Sequence, residues 1–119
     1  MINIKELLEQ NNISFIQEKR FADLRFENTG HQARFDFYVN DEYVIEYDGR
    51  QHFIQGNSVY DNKEKFMKTQ EHDLIKNEYC AQHNIPIIRI PYTELDNITL
   101  EMLQPKTSKY LRTAGLPIS

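Results

Sequence analysis

The sequence predicts an α/β domain in which helices pack on a mixed sheet. Three observations carry this. Arg34 to Val39 and Tyr43 to Asp48 alternate apolar and polar residues on either side of the polar turn Asn40-Asp41-Glu42, which is the pattern of an antiparallel hairpin. Glu64 to Gln82 follows, free of Pro and Gly and periodic at helical spacing. Ile85 to Tyr92 (IPIIRIPY) is then a short apolar run suited to a strand covered on both faces. A hairpin followed by a crossover helix and another strand places parallel and antiparallel neighbours in one sheet.

The remaining elements fit around this frame. Asn3 to Gln10 carries Ile4, Leu7 and Leu8 at helical spacing, and Asn11 and Asn12 stop it. Ile13 to Phe21 alternates imperfectly and reads as a strand. Gly49 to Lys63 is polar and irregular. On the long helix, Phe66, Met67, Gln70, Asp73, Leu74, Asn77, Cys80 and Ala81 form one side, expected to be buried. Asn84 ends that helix. Leu95 to Leu103 reads as a closing helix capped by Asn97 and ended by Pro105, and Lys106 to Ser119 as loop with one helical turn near Tyr110.

The 119 residues suffice for one domain, 1–119, and 39% hydrophobic with 27% charged residues is a soluble globular composition. No run approaches a membrane span, and MINIKELLEQNN lacks a secretory pattern, so a cytoplasmic, non-membrane protein is expected. The single cysteine, Cys80, reads as a buried packing residue. A net charge of −4 argues against a strongly basic surface and against tight nucleic-acid binding, although a carboxylate site accounts for several negative charges by itself.

Residues two apart on a strand share a face. Asp36 is therefore expected beside Arg34 and Tyr38, and Glu46 and Asp48 beside Val44 on the partner strand, opposite an apolar face of Phe35, Phe37, Val39, Ile45 and Tyr47. Carboxylates crowded together raise one another's pKa unless a cation lies between them, and hard oxygen ligands suit Mg²⁺, with Mn²⁺ as a substitute. Asp36, Glu46 and Asp48 are the candidate ligands. His52, beyond Gly49, is the candidate general acid or base. Asp73 on the helix stripe needs a partner, for which His52 is the first choice and Lys68 or Lys76 on its own helix the alternative. Taken singly, each of these residues has a structural explanation as a solvated strand, turn or loop residue, including His31, His72 and His83.

Glu18, Asp36 in FDFYV, VIEYDGRQHF with His52, and Asp73 in HDLIKNEYC followed by IPIIRIPY resemble the EDxHD group of phage-encoded homing endonucleases. That group is similar to the very-short-patch repair endonucleases within the PD-(D/E)XK nuclease superfamily. The resemblance runs from about Ile13 to Tyr92. It implies a restriction-endonuclease-like fold, a phage or mobile-element origin, and Mg²⁺-dependent hydrolysis of DNA phosphodiester bonds by nicking or double-strand cleavage. It also implies Asp36 as the central metal ligand, with Glu46 or Asp48 as the second, His52 as the acid or base, and Glu18 and Asp73 as supporting residues. Glu46-Tyr47-Asp48 occupies the place of a motif that ordinarily ends in lysine; Asp48, His52 or Lys76 is left to substitute, His52 being preferred. No appended DNA-binding region is visible. DNA would be held by Arg20, Arg25, Arg34 and Arg50, with Phe53 and Tyr60 as aromatic contacts, helped by homodimerisation or by a separate targeting protein. The competing functions are a mismatch or junction repair nuclease, and a degenerate module that binds nucleic acid or protein without cleaving.

Overall fold

The computed structural model describes residues 3–26, 30–48 and 62–112, apart from the side chains of 62–66 and 69. Helix α1 spans Ile4–Gln10, and its N-cap Asn3 accepts the Glu6 amide at 2.8 Å, satisfying one of the helix's open donors. Strands β1 (Phe15–Arg25), β2 (Gln32–Val39) and β3 (Tyr43–Asp48) form an antiparallel meander. Helix α2 (Asn62–Gln82) then leads to β4 (Ile87–Pro91), parallel to β3, and a two-residue strand β5 (Leu111–Arg112) pairs antiparallel with β4. The result is a five-stranded mixed sheet in the order β1-β2-β3-β4-β5. No helix among the described residues is long and apolar enough to cross a membrane.

Two hydrophobic layers cover the sheet. On one face Phe37, Val39, Tyr43, Ile45, Ile88 and Ile90 pack with Ile4 and Leu8 of α1 and with Ile98 and Leu103. On the other, Ala33, Phe35, Val44 and Ile87 pack with Tyr79 and Cys80 of α2. Cys80 is 1% exposed and burial pushes its thiol up to about 12, so it is a packing residue, as its helical position suggests. Tyr43 carries its hydroxyl into the first layer and donates to the Leu103 carbonyl at 2.7 Å. Tyr43→Phe strips that carbonyl of its donor, and chemical denaturation should show a loss of about 1–3 kcal/mol.

Three elements differ from expectation. The segment Leu95 to Leu103 is not an α-helix but lies within two 3₁₀ turns and their connection, Tyr92–Glu94 and Leu100–Leu103. Thr99 before the second turn makes no side-chain cap, and Ile98 and Leu103 pack with Ile4 and Leu8 of α1. The tail near Tyr110 gives β5 rather than a helical turn. On α2, Met67 and Leu74 of the expected buried side are 58% and 61% exposed, whereas Asp73 and Asn77 of that side do turn toward the sheet and are joined there by Lys76. The sheet beneath that stretch of helix carries Glu46, Asp48 and Arg89, so polar complementarity sets the helix rotation there instead of apolarity.

Candidate active site at the fork between β2 and β3

Simple alternation puts Phe35 and Phe37 on one face; the structure puts them on opposite faces, in different layers. The slip occurs at Asp36. Its counterpart on β1 is Glu18, which lies between the pairs Gln17↔Phe37 and Lys19↔Phe35 and has φ 56°, a left-handed conformation uncommon for a residue with a side chain. Phe15 and Phe21 of β1 divide between the two layers in the same way, so both strands change face together and their mutual register survives.

The slip redirects Asp36. The β2–β3 ladder holds Val39↔Tyr43, Tyr38↔Val44 and Phe37↔Ile45. Next to it the Asp36 carboxylate, through Oδ2, accepts the Tyr47 amide at 2.7 Å. A side chain thus takes the amide that a strand carbonyl would otherwise accept, and the two strands fork there with Asp36 at the branch.

Glu46 lies beside this fork on the α2 face, 5% exposed. Lys76 Nζ donates to its Oε1 at 2.8 Å and also sits 5.1 Å from the centre of the Phe35 ring. Burial pushes the Glu46 carboxyl up to about 7; the Lys76 charge opposes this and the Asp36 charge adds to it, which places the two acids within electrostatic reach. Removing Lys76 as Lys76→Met therefore raises the Glu46 pKa further. A carboxyl whose folded pKa exceeds its unfolded value loses stability as pH rises between the two. Thermal melts should show the variant close to the parent near pH 5, where Glu46 is protonated in both, and destabilised near pH 8, by about 1 kcal/mol.

Farther along the face, Arg89 is 7% exposed and donates through Nη1 to Asp48 Oδ1 at 2.8 Å, with Asp73 Oδ1 at 3.4 Å; its Nε donates to Asn77 Oδ1 at 3.0 Å. Glu46 and Arg89 are neighbours in the parallel β3–β4 register. The crowded carboxylates expected from the strands are thus accompanied by two internal cations, Lys76 for Glu46 and Arg89 for Asp48 and Asp73. Among the described residues no group of three or more His, Cys, Asp or Glu side chains is arranged to hold a metal ion.

Of the residues singled out from sequence, Asp36 and Glu46 come together at the fork, and Lys76, one of the substitutes for the missing motif lysine, joins them. Asp48 and Asp73 belong to the adjoining Arg89 cluster. Glu18 is exposed and ion-paired across the strands with Arg34 at 3.0 Å. His52, Arg50, Phe53 and Tyr60 lie outside the described residues, so the pairing of His52 with Asp73 does too; within them Asp73 engages Arg89. His72 and His83 have definite contacts: His72 stacks on Phe26 with centroids 3.8 Å apart, and His83 stacks on Tyr79 and approaches Asp23 at 3.4 Å.

Arg89 is the site residue that sequence reading passed over. Its signal was present in IPIIRIPY, since an arginine central to a run buried on both faces requires buried acceptors.

Beside the fork, Arg20, Arg25, Arg34 and Lys76 line an open cavity of about 640 Å³, together with Phe26 and His72. A second cavity of about 450 Å³ lies beyond Asp73 and Arg89, toward Tyr110 and Arg112.

No family model matches the chain, and no solved structure matches it. It is similar to Uncharacterized protein 033L of Invertebrate iridescent virus 3, with 33% identity over 75 residues, covering 62% of this chain and 39% of that protein. It is likewise similar to Uncharacterized protein 307L of Invertebrate iridescent virus 6, with 33% identity over 69 residues, covering 58% of this chain and 35% of that protein. The chain thus spans little more than a third of the length of these curated relatives.

Proposed function

We propose that the chain is a metal-dependent endonuclease that hydrolyses DNA phosphodiester bonds at the β2–β3 fork, with the restriction-endonuclease-like fold and EDxHD-type chemistry that its motifs resemble. The observation that carries this reading is the convergence of Asp36, Glu46 and Lys76 at one branch point of the sheet. Two acids and a lysine from three separate elements form the set of charges that phosphoryl transfer calls for. The similarity to viral proteins is in keeping with an enzyme of a phage or other mobile genome.

The donor chemistry fits Mg²⁺ or Mn²⁺. Magnesium is commonly bound through one or two carboxylates, with waters and substrate phosphate filling the other positions. Asp36 and Glu46 would hold it, Asp36 through the oxygen that does not accept the Tyr47 amide. When bound, the ion supplies Lewis acidity toward the phosphodiester and lowers the pKa of a coordinated water.

The chain's own residues do the rest. Lys76 presents a compact ammonium charge suited to negative charge growing on the phosphoryl oxygens. The Arg89–Asp48–Asp73–Asn77 cluster ties the end of β3 to α2 and β4, keeping Glu46 and Lys76 in register. His52 keeps the proposed role of proton donor or acceptor. The polar cavity lined by Arg20, Arg25 and Arg34 opens beside Lys76, where a phosphate backbone would pass.

A second reading, a binding module of the same fold without catalysis, is favoured by the internal ion pairs, which neutralise Glu46 and Asp48 without added metal. Supercoiled plasmid separates the two. The nuclease reading expects relaxation to nicked or linear DNA in Mg²⁺ or Mn²⁺ and none in EDTA; intact supercoils in both metals at high protein concentration leave the binding module.

A further inference from the structure

We infer that the arginine-lined cavity beside the fork is a single-strand subsite, holding the sugar-phosphate of an unpaired nucleotide and stacking its base on the Phe26–His72 pair. This rests on the nuclease reading for the identity of the polymer, and it narrows the substrate from DNA in general to DNA with an unpaired stretch next to the cleavage position.

Charge comes first. Arg20 and Arg34 are directly opposed on the β1–β2 ladder, and like charges so placed repel. Glu18 offsets Arg34 from the exposed side at 3.0 Å. Arg25 joins them from the end of β1, its Nη1 donating to the Gly30 carbonyl at 2.9 Å, which holds the guanidinium in place. Three guanidinium groups and the Lys76 ammonium around one cavity of a chain with net charge −4 form a local anion site against the overall field.

The rings give the site its second property. Phe26 and His72 stack at 3.8 Å with an interplanar angle of 13°, joining the end of β1 to α2, and both line the cavity. In duplex DNA the base faces are covered by their neighbours. Only an unstacked base can lie against protein rings, and a cationic groove that carries aromatic faces is the usual arrangement for single strands. A cavity of about 640 Å³ accommodates one nucleotide rather than a duplex. Lys76 lines this cavity and also binds Glu46, so a nucleotide seated there is one residue's reach from the fork.

Fluorescence anisotropy in EDTA, with a labelled single strand and with the duplex of the same sequence, tests this using the whole chain. The parent should prefer the single strand. Phe26→Leu keeps an apolar side chain but loses the flat face, and should weaken single-strand binding roughly five- to a hundredfold while leaving duplex binding nearly unchanged. The exposed Arg20→Gln should weaken both ligands and reduce the slope of log affinity against log salt by about 0.7 on the single strand. The inference is overturned if the duplex binds as well as the single strand, if Phe26→Leu leaves single-strand binding unchanged, or if Arg20→Gln, folded by circular dichroism, binds both ligands like the parent. The two readings fail separately: single-strand preference without plasmid nicking removes the nuclease and keeps the subsite, whereas nicking without that preference removes the subsite alone.

Discussion

Arg89→Ala will lower the unfolding free energy by about 3–5 kcal/mol, the largest stability loss expected for any polar substitution in this protein. Arg89 is buried between β4 and α2 and is the cation shared by Asp48 and Asp73, with Asn77 completing its acceptors. Without it, Asp48, itself 6% exposed, is a buried carboxylate facing a second acid. Arg89→Lys retains the charge but cannot reach three acceptors from a planar fork, so it should recover only part of the loss. Urea denaturation near neutral pH measures the difference.

The largest expected effect on activity belongs to Asp36. Asp36→Asn keeps an oxygen that accepts the Tyr47 amide, so the fork and the melting temperature should stay close to the parent's while plasmid nicking falls by about a hundredfold or more. Asp36→Ala removes the acceptor as well and adds a stability loss of about 1–3 kcal/mol from the unsatisfied amide. Comparing the pair separates the carboxylate's chemical contribution from its structural one. The same substitutions remove the negative charge that raises the Glu46 pKa, so a downward shift of Glu46 titration, followed by infrared or NMR, gives an independent readout of their proximity.

Much of the architecture is legible because it depends on local patterning. The hairpin alternation, the long helix and the apolar run before Tyr92 each appear where hydrophobic periodicity places them, and the mixed sheet follows from their order. The Leu95 to Leu103 segment shows the limit: its apolar spacing suits an α-helix, but the chain forms a single 3₁₀ turn there, Leu100–Leu103, packed against α1.

The site was legible in its residue types and less so in its pairings. Asp36 and Glu46 could be named from the strands, but the change of face at Glu18 and Asp36 follows from a left-handed backbone at a glutamate, which no propensity anticipates. The rotation of α2 was hidden for a related reason. Met67 and Leu74 look like core residues on a helical wheel, yet both are exposed, and Lys76, off the expected side, is drawn inward by Glu46 on a strand distant in sequence. Arg89 was readable as a buried cation; its partners were not, because they come from β3 and α2 together.

The proposed chemistry needs Asp36 and Glu46 to share a divalent ion at the fork. Anomalous scattering from a crystal soaked in Mn²⁺ measures this most directly. The expected result is a peak bonded by carboxylate oxygens of Asp36 and Glu46, beside the Lys76 ammonium. A well-ordered fork with no peak there, Lys76 still closed on Glu46 and manganese bound only elsewhere, would contradict it.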